Sequence, residues 1–271
     1  MDSQGTPAHV ILPRTILDWS STSDPRKNSP HNEDCLTARL SGNQTLLVVA
    51  DGLGGHKAGE VASRMVARNL PKEYFAKPGV HLVDEMTEAI RETNRAIHEA
   101  GKDEETHGMC STVVASLVLN HFALFLHVGD SRGYLFRQGS CVHRTTDHAM
   151  KKITRNLNPS LARTNSKSVL TQSMGARASV VPELSIHRIE EGDIIVLCSD
   201  GLTDVVTDTE IADMVTSRMP EEACEALVET ARRNGSDDDL SVIVAAVVQV
   251  VDGPSLDVHL SNLDKYVVAA S

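Results

Sequence analysis

The stretch VVADGLGGHKAGEVAS, from Val48 to Ser63, leads from an apolar segment into a glycine-rich turn and then into a helical pattern. A lone carboxylate, Asp51, stands where the apolar segment meets the turn. Such a turn can hold a dinucleotide, a phosphate or a metal ion. A dinucleotide loop of the GxGxxG type is excluded, because Lys57 occupies the place of the third glycine, and a P-loop is excluded, because HKAG lacks GK followed by Ser or Thr. A metal ion remains.

Composition limits the class of protein further. The chain has 271 residues, of which 41% are hydrophobic and 3% aromatic, so the core must consist mainly of Val, Leu, Ala and Ile. The formal net charge of -11 argues against binding to nucleic acid, whose phosphates recruit Lys and Arg. No apolar run approaches the ~20 residues that cross a bilayer, and the N-terminus lacks a secretory pattern. Five widely spaced cysteines are expected to be free thiols, which favours the cytoplasm.

The order of the predicted elements indicates an α+β fold with antiparallel sheets. TLLVVAD is typical of a buried strand, and helices are predicted at about Ala58–Phe75 and Leu82–Ala100. Strands dominate the rest of the chain, joined by a hairpin and two further helices, and strict βαβ alternation is missing. We expect a single domain over residues 1–251, with residues 1–30 irregular, and a C-terminal tail over residues 252–271.

Several carboxylates occur where an apolar strand meets a turn. They are Asp34, Asp51, Asp130, Asp200, Asp204, Asp238 and Asp239. Such acids would repel each other if the fold brought them together, unless hard divalent cations with oxygen ligands neutralised them. Magnesium or manganese fits best, since the sequence has no HxxxH or HExxH pattern for zinc. The alternative, that these aspartates only cap turns, stays open.

Eight stretches resemble one family, in that family's order. They are HNEDCL, VVADGLGGHKAGEVAS, MCSTVVASLV, HVGDSRGYLFRQG, TTDH, VLTQSMG, GDIIVLCSDGLTD and SDDDLSVIVAAV. Together they cover about Asn32 to Val250 and resemble the metal-dependent protein phosphatases of the PPM type, or protein phosphatase 2C class, in their bacterial form. The resemblance implies two antiparallel β-sheets packed as a sandwich and flanked by helix pairs, a four-layer α-β-β-α arrangement.

The resemblance also implies a centre of two metal ions, Mn²⁺ or Mg²⁺, at one end of the sandwich. Asp51 would bridge both ions, and Gly52 would offer its carbonyl oxygen. Asp200 and Asp238 would complete the direct ligands. Asp34 would bind through water or support a ligand. In the family an asparagine follows the acid equivalent to Asp238, whereas Asp239 stands there in this chain.

A third, weaker ion is implied by the acids of GDSR and SDGLTD, which are Asp130 and Asp204. The implied reaction is the hydrolysis of phosphoserine and phosphothreonine monoesters on proteins by attack of a metal-bound hydroxide. Two ions about 4 Å apart can generate that nucleophile at neutral pH and hold the phosphoryl oxygens. His56 is the candidate general acid for the leaving oxygen. The alternative for His56 is that it only fills the turn.

One departure from the family concerns the grip on the substrate phosphate. The usual arginine position holds Ser29, so Arg26 is the candidate in its place. Expected partners are phosphorylated proteins and a serine/threonine kinase or its targets, for a monomeric enzyme without nucleic acid or membrane contacts. Two alternatives are a pseudophosphatase that binds phosphoproteins without turnover and a phosphatase acting within a partner-switching pathway.

Overall fold

The computed structural model describes residues 14–27, 29–53, 57–76, 81–150 and 169–251. The predictions for His56 and for the tail, residues 252–271, lie outside the described residues. Among the helices described, none is both long and apolar enough to cross a bilayer.

Two antiparallel sheets form the centre of the molecule. In spatial order, the first consists of β1 (Arg14–Asp24), β13 (Leu240–Val251), β12 (Ile194–Cys198), β7 (Arg132–Arg137) and β8 (Ser140–Arg144). The second consists of β11 (Glu183–Arg188), β6 (Phe122–Val128), β5 (Val113–Leu119), β3 (Gln44–Leu53) and β2 (Asp34–Ser41), with the short β4 (Cys110–Ser111) paired to the end of β3. A separate pair joins β9 (Ala149–Met150) to β10 (Val169–Leu170).

Helices cover the outer faces of both sheets. They are α1 (Lys57–Ala76), α2 (Leu82–Ala100), a 3₁₀ turn (Glu104–Thr106), α3 (Asp200–Thr203), α4 (Asp208–Thr216) and α5 (Pro220–Arg233). The pair α1 and α2 packs on the second sheet, and α4 and α5 pack on the first. A capping box opens α4, as the sequence predicts: Thr207 accepts from the backbone N–H of Glu210, whose carboxylate accepts from the N–H of Thr207.

Strand β3 shows how the layers are held together. Leu46 and Val48 pack with residues of α1 and α2, whereas Leu47 and Val49 pack against the first sheet. This alternation follows from the pleat, which directs successive side chains to opposite faces. Because both faces are covered, the strand is apolar and buried from Leu46 to Ala50, and each buried Leu or Val contributes about 1.5–3 kcal/mol relative to exposure. The predicted α+β sandwich with flanking helix pairs is confirmed.

Strand β1 corrects one expectation. The stretch Arg14–Asp24 belongs to the first 30 residues, which were expected to be irregular, yet it pairs along its length with β13. None of its residues is fully buried, so its side chains give little hydrophobic periodicity. Pairing of the backbone with β13 forms this edge strand, and a single sequence does not reveal that partner.

Candidate metal centre

Asp51 and Gly52 lie at the end of β3, in a backbone held from both sides. The N–H of Asp51 donates to Thr112 Oγ1 at 3.0 Å, and the Asp51 carbonyl accepts from the N–H of Thr112 at 2.8 Å and from Ser111 Oγ at 2.9 Å. The N–H of Gly52 donates to the carbonyl of Glu33 at 3.0 Å. These bonds fix the direction in which the Asp51 carboxylate leaves the strand.

Only glycine fits at position 52. A Cβ atom there would lie 2.1 Å from the carbonyl oxygen of Gly59, at the start of α1, and 2.6 Å from that of Glu33. Both neighbours are backbone atoms, which cannot swing away as a side chain would. The turn formed by Asp51 and Gly52, called the DG turn below, therefore packs tightly between α1 and the segment that precedes β2.

Asp34 faces Asp51 across the ladder between β2 and β3, where the two are paired residues. Its side chain is buried, with Oδ2 accepting from Ser199 Oγ at 2.7 Å. The other oxygen, Oδ1, is buried without a hydrogen-bond partner, and so is Oε1 of Glu33. Buried carboxylate oxygens without a partner are costly, so both oxygens suit a cation or a water bound to one.

Asp200 begins the short helix α3, directly after β12, and its proximity to Asp51 raises the pKa of the Asp51 carboxyl. Asp130, buried after β6, and Asp204, exposed at the end of α3, both add negative charge near Asp200. The N–H of Asp204 donates to the Asp200 carbonyl at 2.9 Å. The structure therefore brings Asp130 and Asp204 to the side of the centre occupied by Asp200.

Asp238 and Asp239 precede β13 and have different surroundings. Asp238 is half-buried and adds negative charge near Asp34, Asp51 and Asp200. Asp239 is only 3% exposed, and its carboxylate accepts from the N–H groups of Arg26 at 2.7 Å and Glu33 at 2.8 Å. Asp239 thus ties together the loop that leads into β2.

Arg232 is a supporting residue that the sequence analysis missed. Its guanidinium donates to the Asp238 carbonyl at 2.8 Å and to the Asp24 carboxylate at 2.8 Å. It also reaches the carbonyls of Pro25 at 2.9 Å and Ser236 at 3.1 Å. One arginine in the last turn of α5 therefore fastens the loop before β13 to the end of β1. From sequence it looks like any cation at a helix C-terminus.

Arg26 lies at the edge of the carboxylate cluster. Its Nη2 is 3.0 Å from Oε2 of Glu33, and its side chain is partly exposed. Ser29, at the usual arginine position, donates to the carbonyl of His31 at 2.7 Å. A substrate phosphate at this edge would therefore share the Arg26 guanidinium with Glu33.

Burial and mutual repulsion raise the pKa of the central carboxyls. Burial is the main cause at Asp51, followed by the charges of Asp200 and Asp34, and its pKa lies well above the usual range. Burial also raises the pKa of Asp34 to about 7, against hydrogen bonds from Ser199 and Ser241 that lower it. The pKa of Asp200 is raised to about 8 by burial and by the charges of Asp130, Asp204 and Asp238.

These observations test whether a metal fits. The donors are carboxylate oxygens with backbone carbonyls beside them, which suit hard divalent ions such as Mg²⁺ and Mn²⁺. Ionisation of the central carboxyls is unfavourable without a counter-charge, as their raised pKa values indicate. An ion of charge +2 would neutralise the repulsion between the ionised carboxylates, so the residues present fit a metal centre.

The raised pKa values predict how the stability of metal-free protein depends on pH. An unfolded aspartate titrates near 3.8, whereas folded Asp34 and Asp200 titrate at about 7 and about 8. Between these limits the folded state binds more protons than the unfolded state, so the free energy of unfolding falls as pH rises. Histidines add opposing effects below about 6.5. In chelator-treated protein we therefore expect Tm to fall between pH about 6.5 and about 8.5.

The matched variant for that measurement is Asp200→Asn, which should show a smaller fall in Tm over the same window because one titrating group is gone. Added Mg²⁺ should abolish the fall in the unaltered protein. A constant or rising Tm in chelated, unaltered protein would contradict the raised pKa values of these clustered carboxyls.

Comparison with known proteins gives the family. The family model described as Protein phosphatase 2C matches residues 22–245. Protein phosphatase PhpP from Streptococcus pneumoniae is 30% identical over 248 residues, covering 85% of this chain and 98% of that protein.

Two solved structures are similar in both fold and sequence. Serine/threonine phosphatase Stp1 from Staphylococcus aureus superposes with a TM-score of 0.78 at 31% identity, covering 90% of this chain and 100% of that one. The catalytic domain of the serine/threonine protein phosphatase PstP, solved with 2 manganese ions, superposes with a TM-score of 0.71 at 33% identity, covering 86% and 99%. With its matching family model, this chain belongs to the protein phosphatase 2C family.

Proposed function

We propose that this protein is a metal-dependent serine/threonine protein phosphatase that hydrolyses phosphoserine and phosphothreonine monoesters on proteins with the help of two core Mn²⁺ or Mg²⁺ ions. The observation that carries the proposal is the gathering of Asp34, Asp51 and Asp200 into one cluster. Asp34 is buried, Asp51 and Asp200 are half-buried, and all three have raised pKa values. The manganese-bound PstP domain, at 33% identity, supports the same choice of ion.

Each residue has a role in this proposal. Asp51, with the Gly52 carbonyl, Asp200 and Asp238, would hold the two core ions, and Asp51 would be the ligand shared between them. Asp34 would support them through water. When bound, the ions would polarise the phosphoryl group and activate water for in-line attack.

Two further residues act on the substrate. His56 donates a proton to the leaving oxygen of the serine or threonine. Arg26 donates a pair of hydrogen bonds from its planar guanidinium to the phosphate oxygens. These bonds replace its contact with the Glu33 carboxylate. Phosphate monoesters hydrolyse extremely slowly in water, so the centre must supply a large stabilisation of the transition state.

The direct experiment measures inorganic phosphate released from matched phosphothreonine, phosphoserine and phosphotyrosine peptides in the presence of Mn²⁺. Turnover of the first two and little of the third is expected. Stoichiometric binding of the phosphothreonine peptide without phosphate release would instead identify a non-catalytic binding module.

The third-ion assignment predicts a selective loss. Asp130→Ala should lower turnover while the two core ions remain bound with unchanged affinity, because Asp130 lies beside Asp200 and is assigned to the third ion rather than to the core ions. Isothermal titration with Mn²⁺, combined with turnover measurements, separates the two effects. Loss of the tight sites in the calorimeter would mean that Asp130 belongs to the core set.

The Arg26 assignment predicts weaker substrate binding. Arg26→Ala should raise KM for a phosphopeptide several-fold, since about 1 kcal/mol of binding corresponds to roughly fivefold. Affinity for Mn²⁺ should not change. Arg144→Ala is a suitable control, because Arg144 is an exposed arginine paired with Asp208. Equal KM for the Arg26 variant and the unaltered protein would mean that other groups hold the phosphate.

We further propose that residues through Val251 form a single catalytic domain followed by a tail, and that the protein acts as a cytoplasmic monomer opposing a serine/threonine kinase. Free thiols support the compartment: Cys35, Cys110, Cys141, Cys198 and Cys224 are unpaired. Sedimentation velocity at two protein concentrations tests the monomer. The comparisons support phosphoprotein substrates through the names of the relatives.

A further inference from the structure

A second group of potential metal ligands lies outside the carboxylate centre. His127 on β6 and Glu183 on β11 are paired residues in neighbouring antiparallel strands, so their side chains emerge on the same face. His148, just before β9, closes over them, with its ring 4.5 Å from that of His127. One potential ligand atom from each of the three lies within 4.8 Å of the other two.

The His127 imidazole has the environment that a metal ligand needs. Nε2 of His127 lies 2.7 Å from the carbonyl of Thr146, which can only accept, so Nε2 carries the proton and Nδ1 holds a free lone pair. Such an outer hydrogen bond to a carbonyl fixes the tautomer and orients metal-binding histidines. Burial also lowers the pKa of His127, which keeps its ring neutral.

His148 offers Nε2, which lies 3.5 Å from Oε2 of Glu183. Its Nδ1 is 3.4 Å from the backbone N–H of Gly129, a long contact. When Nε2 binds an ion, the ring proton moves to Nδ1, the weak bond from the Gly129 N–H is lost, and the contact between Nε2 and Glu183 is replaced by coordination of both groups to the ion. Glu183 is half-exposed and His148 largely buried, so an ion can enter from the Glu183 side.

We propose that His127, His148 and Glu183 bind one transition-metal ion of the zinc class, separately from the carboxylate centre. Two imidazoles and one carboxylate form a three-ligand set typical of zinc with a position left for water. Nitrogen ligands discriminate against Mg²⁺, whereas the oxygen-only centre accepts it. The two sites therefore differ in chemistry and can be loaded separately.

The position gives the site a structural route to the first centre. The backbone N–H of His148 donates to the Gly129 carbonyl at 2.8 Å, and Asp130 follows Gly129. Gly129 itself has φ of +112° and no room for a Cβ, which would lie 2.7 Å from Thr112 Cγ2. An ion that holds His148 against β6 and β11 also holds the turn that carries Asp130.

A second histidine pair provides an internal control. The rings of His143 and His187 are 4.0 Å apart, with the same tilt of 32° as the first pair. Each Nε2 is engaged with Ser185 Oγ, at 3.0 and 3.1 Å. Within the described part of the chain, this pair belongs to no three-ligand group. Stacked histidines alone are therefore not what defines the proposed site.

The test uses Co²⁺ as a spectroscopic substitute for zinc, added to full-length protein kept in saturating Mg²⁺. We expect one bound Co²⁺ with the strong visible absorption of four- or five-coordinate cobalt, rather than the weak absorption of a six-coordinate oxygen site. Glu183→Gln and His148→Gln should each lower Co²⁺ affinity by at least about tenfold, since even outer-shell changes cost 10–100-fold. His143→Gln and Asp51→Asn should retain the spectrum.

Glu183→Gln keeps the test decisive if a histidine variant fails to fold, because Glu183 is half-exposed. Absence of the strong absorption in the unaltered protein overturns the proposal. So does a spectrum that survives Glu183→Gln and disappears in Asp51→Asn, which would place the cobalt in the carboxylate centre. Neither result depends on phosphatase activity, so the proposed function is tested independently.

Discussion

Asp51→Asn should reduce phosphopeptide turnover by about a thousandfold or more, since about 4 kcal/mol of lost transition-state stabilisation corresponds to that factor. Asp51 lies at the centre of the cluster, and the charges of both Asp200 and Asp34 act on it. Replacing its carboxylate with an amide removes the one ligand proposed to contact both core ions. Calorimetry should show weakened Mn²⁺ binding in the same variant.

The same substitution should stabilise the metal-free protein at alkaline pH, where the Asp51 carboxylate is ionised, because it removes one of several clustered like charges. Such an opposite effect on Tm would show that the lost turnover does not arise from unfolding. Near-normal turnover in Asp51→Asn would mean that Asp51 does not bridge the ions.

Gly52→Ala should nearly abolish turnover as well, although it adds only a methyl group and no charge. The new Cβ would lie 2.1 Å from the Gly59 carbonyl oxygen, so the DG turn or the start of α1 must move. Overpacking of this kind costs about 1–3 kcal/mol of stability. The displacement also moves the carbonyl proposed as a metal ligand, and a shift near 1 Å at a catalytic centre can cost about 10²-fold in rate.

Gly101→Ala is the matched control for this glycine. Gly101 follows α2 with φ of -71°, and its added Cβ would lie 3.3 Å from the nearest atom. That variant should keep normal turnover and Mn²⁺ affinity. Equal activity of Gly52→Ala and Gly101→Ala would contradict the tight packing of the DG turn against α1.

Local patterns in the sequence were sufficient to predict most of the fold. The continuous apolar run in β3 predicts a strand buried on both faces, and Gln138-Gly139 predicts the hairpin between β7 and β8. Both hairpin residues have positive φ, 50° and 78°, as the tight turn requires. The capping box at Thr207 likewise marks the start of α4. These features depend on neighbouring residues and are therefore readable from one sequence.

Features that depend on distant partners could not be predicted. Strand β1 forms through its pairing with β13, more than two hundred residues away in the chain. The hydrogen bonds of Arg232 to Asp24 and Asp238 and the pairing of Arg26 with Glu33 arise only when the loops around the centre meet. The strand-end acids could be named individually, but their assembly at one end of the sandwich follows from sheet order. The group formed by His127, His148 and Glu183 could not be predicted either, because the separations of its members along the sequence match no metal-binding motif.

The most direct test of the central claim is phosphate release from a phosphothreonine peptide by one preparation in three states: as purified with Mn²⁺, after removal of metal by a chelator, and after Mn²⁺ is restored. We expect turnover in the first state, none above background in the second, and recovery in the third. Circular dichroism should show the same fold throughout. Undiminished turnover by the chelated, metal-free protein would contradict the metal-dependent mechanism.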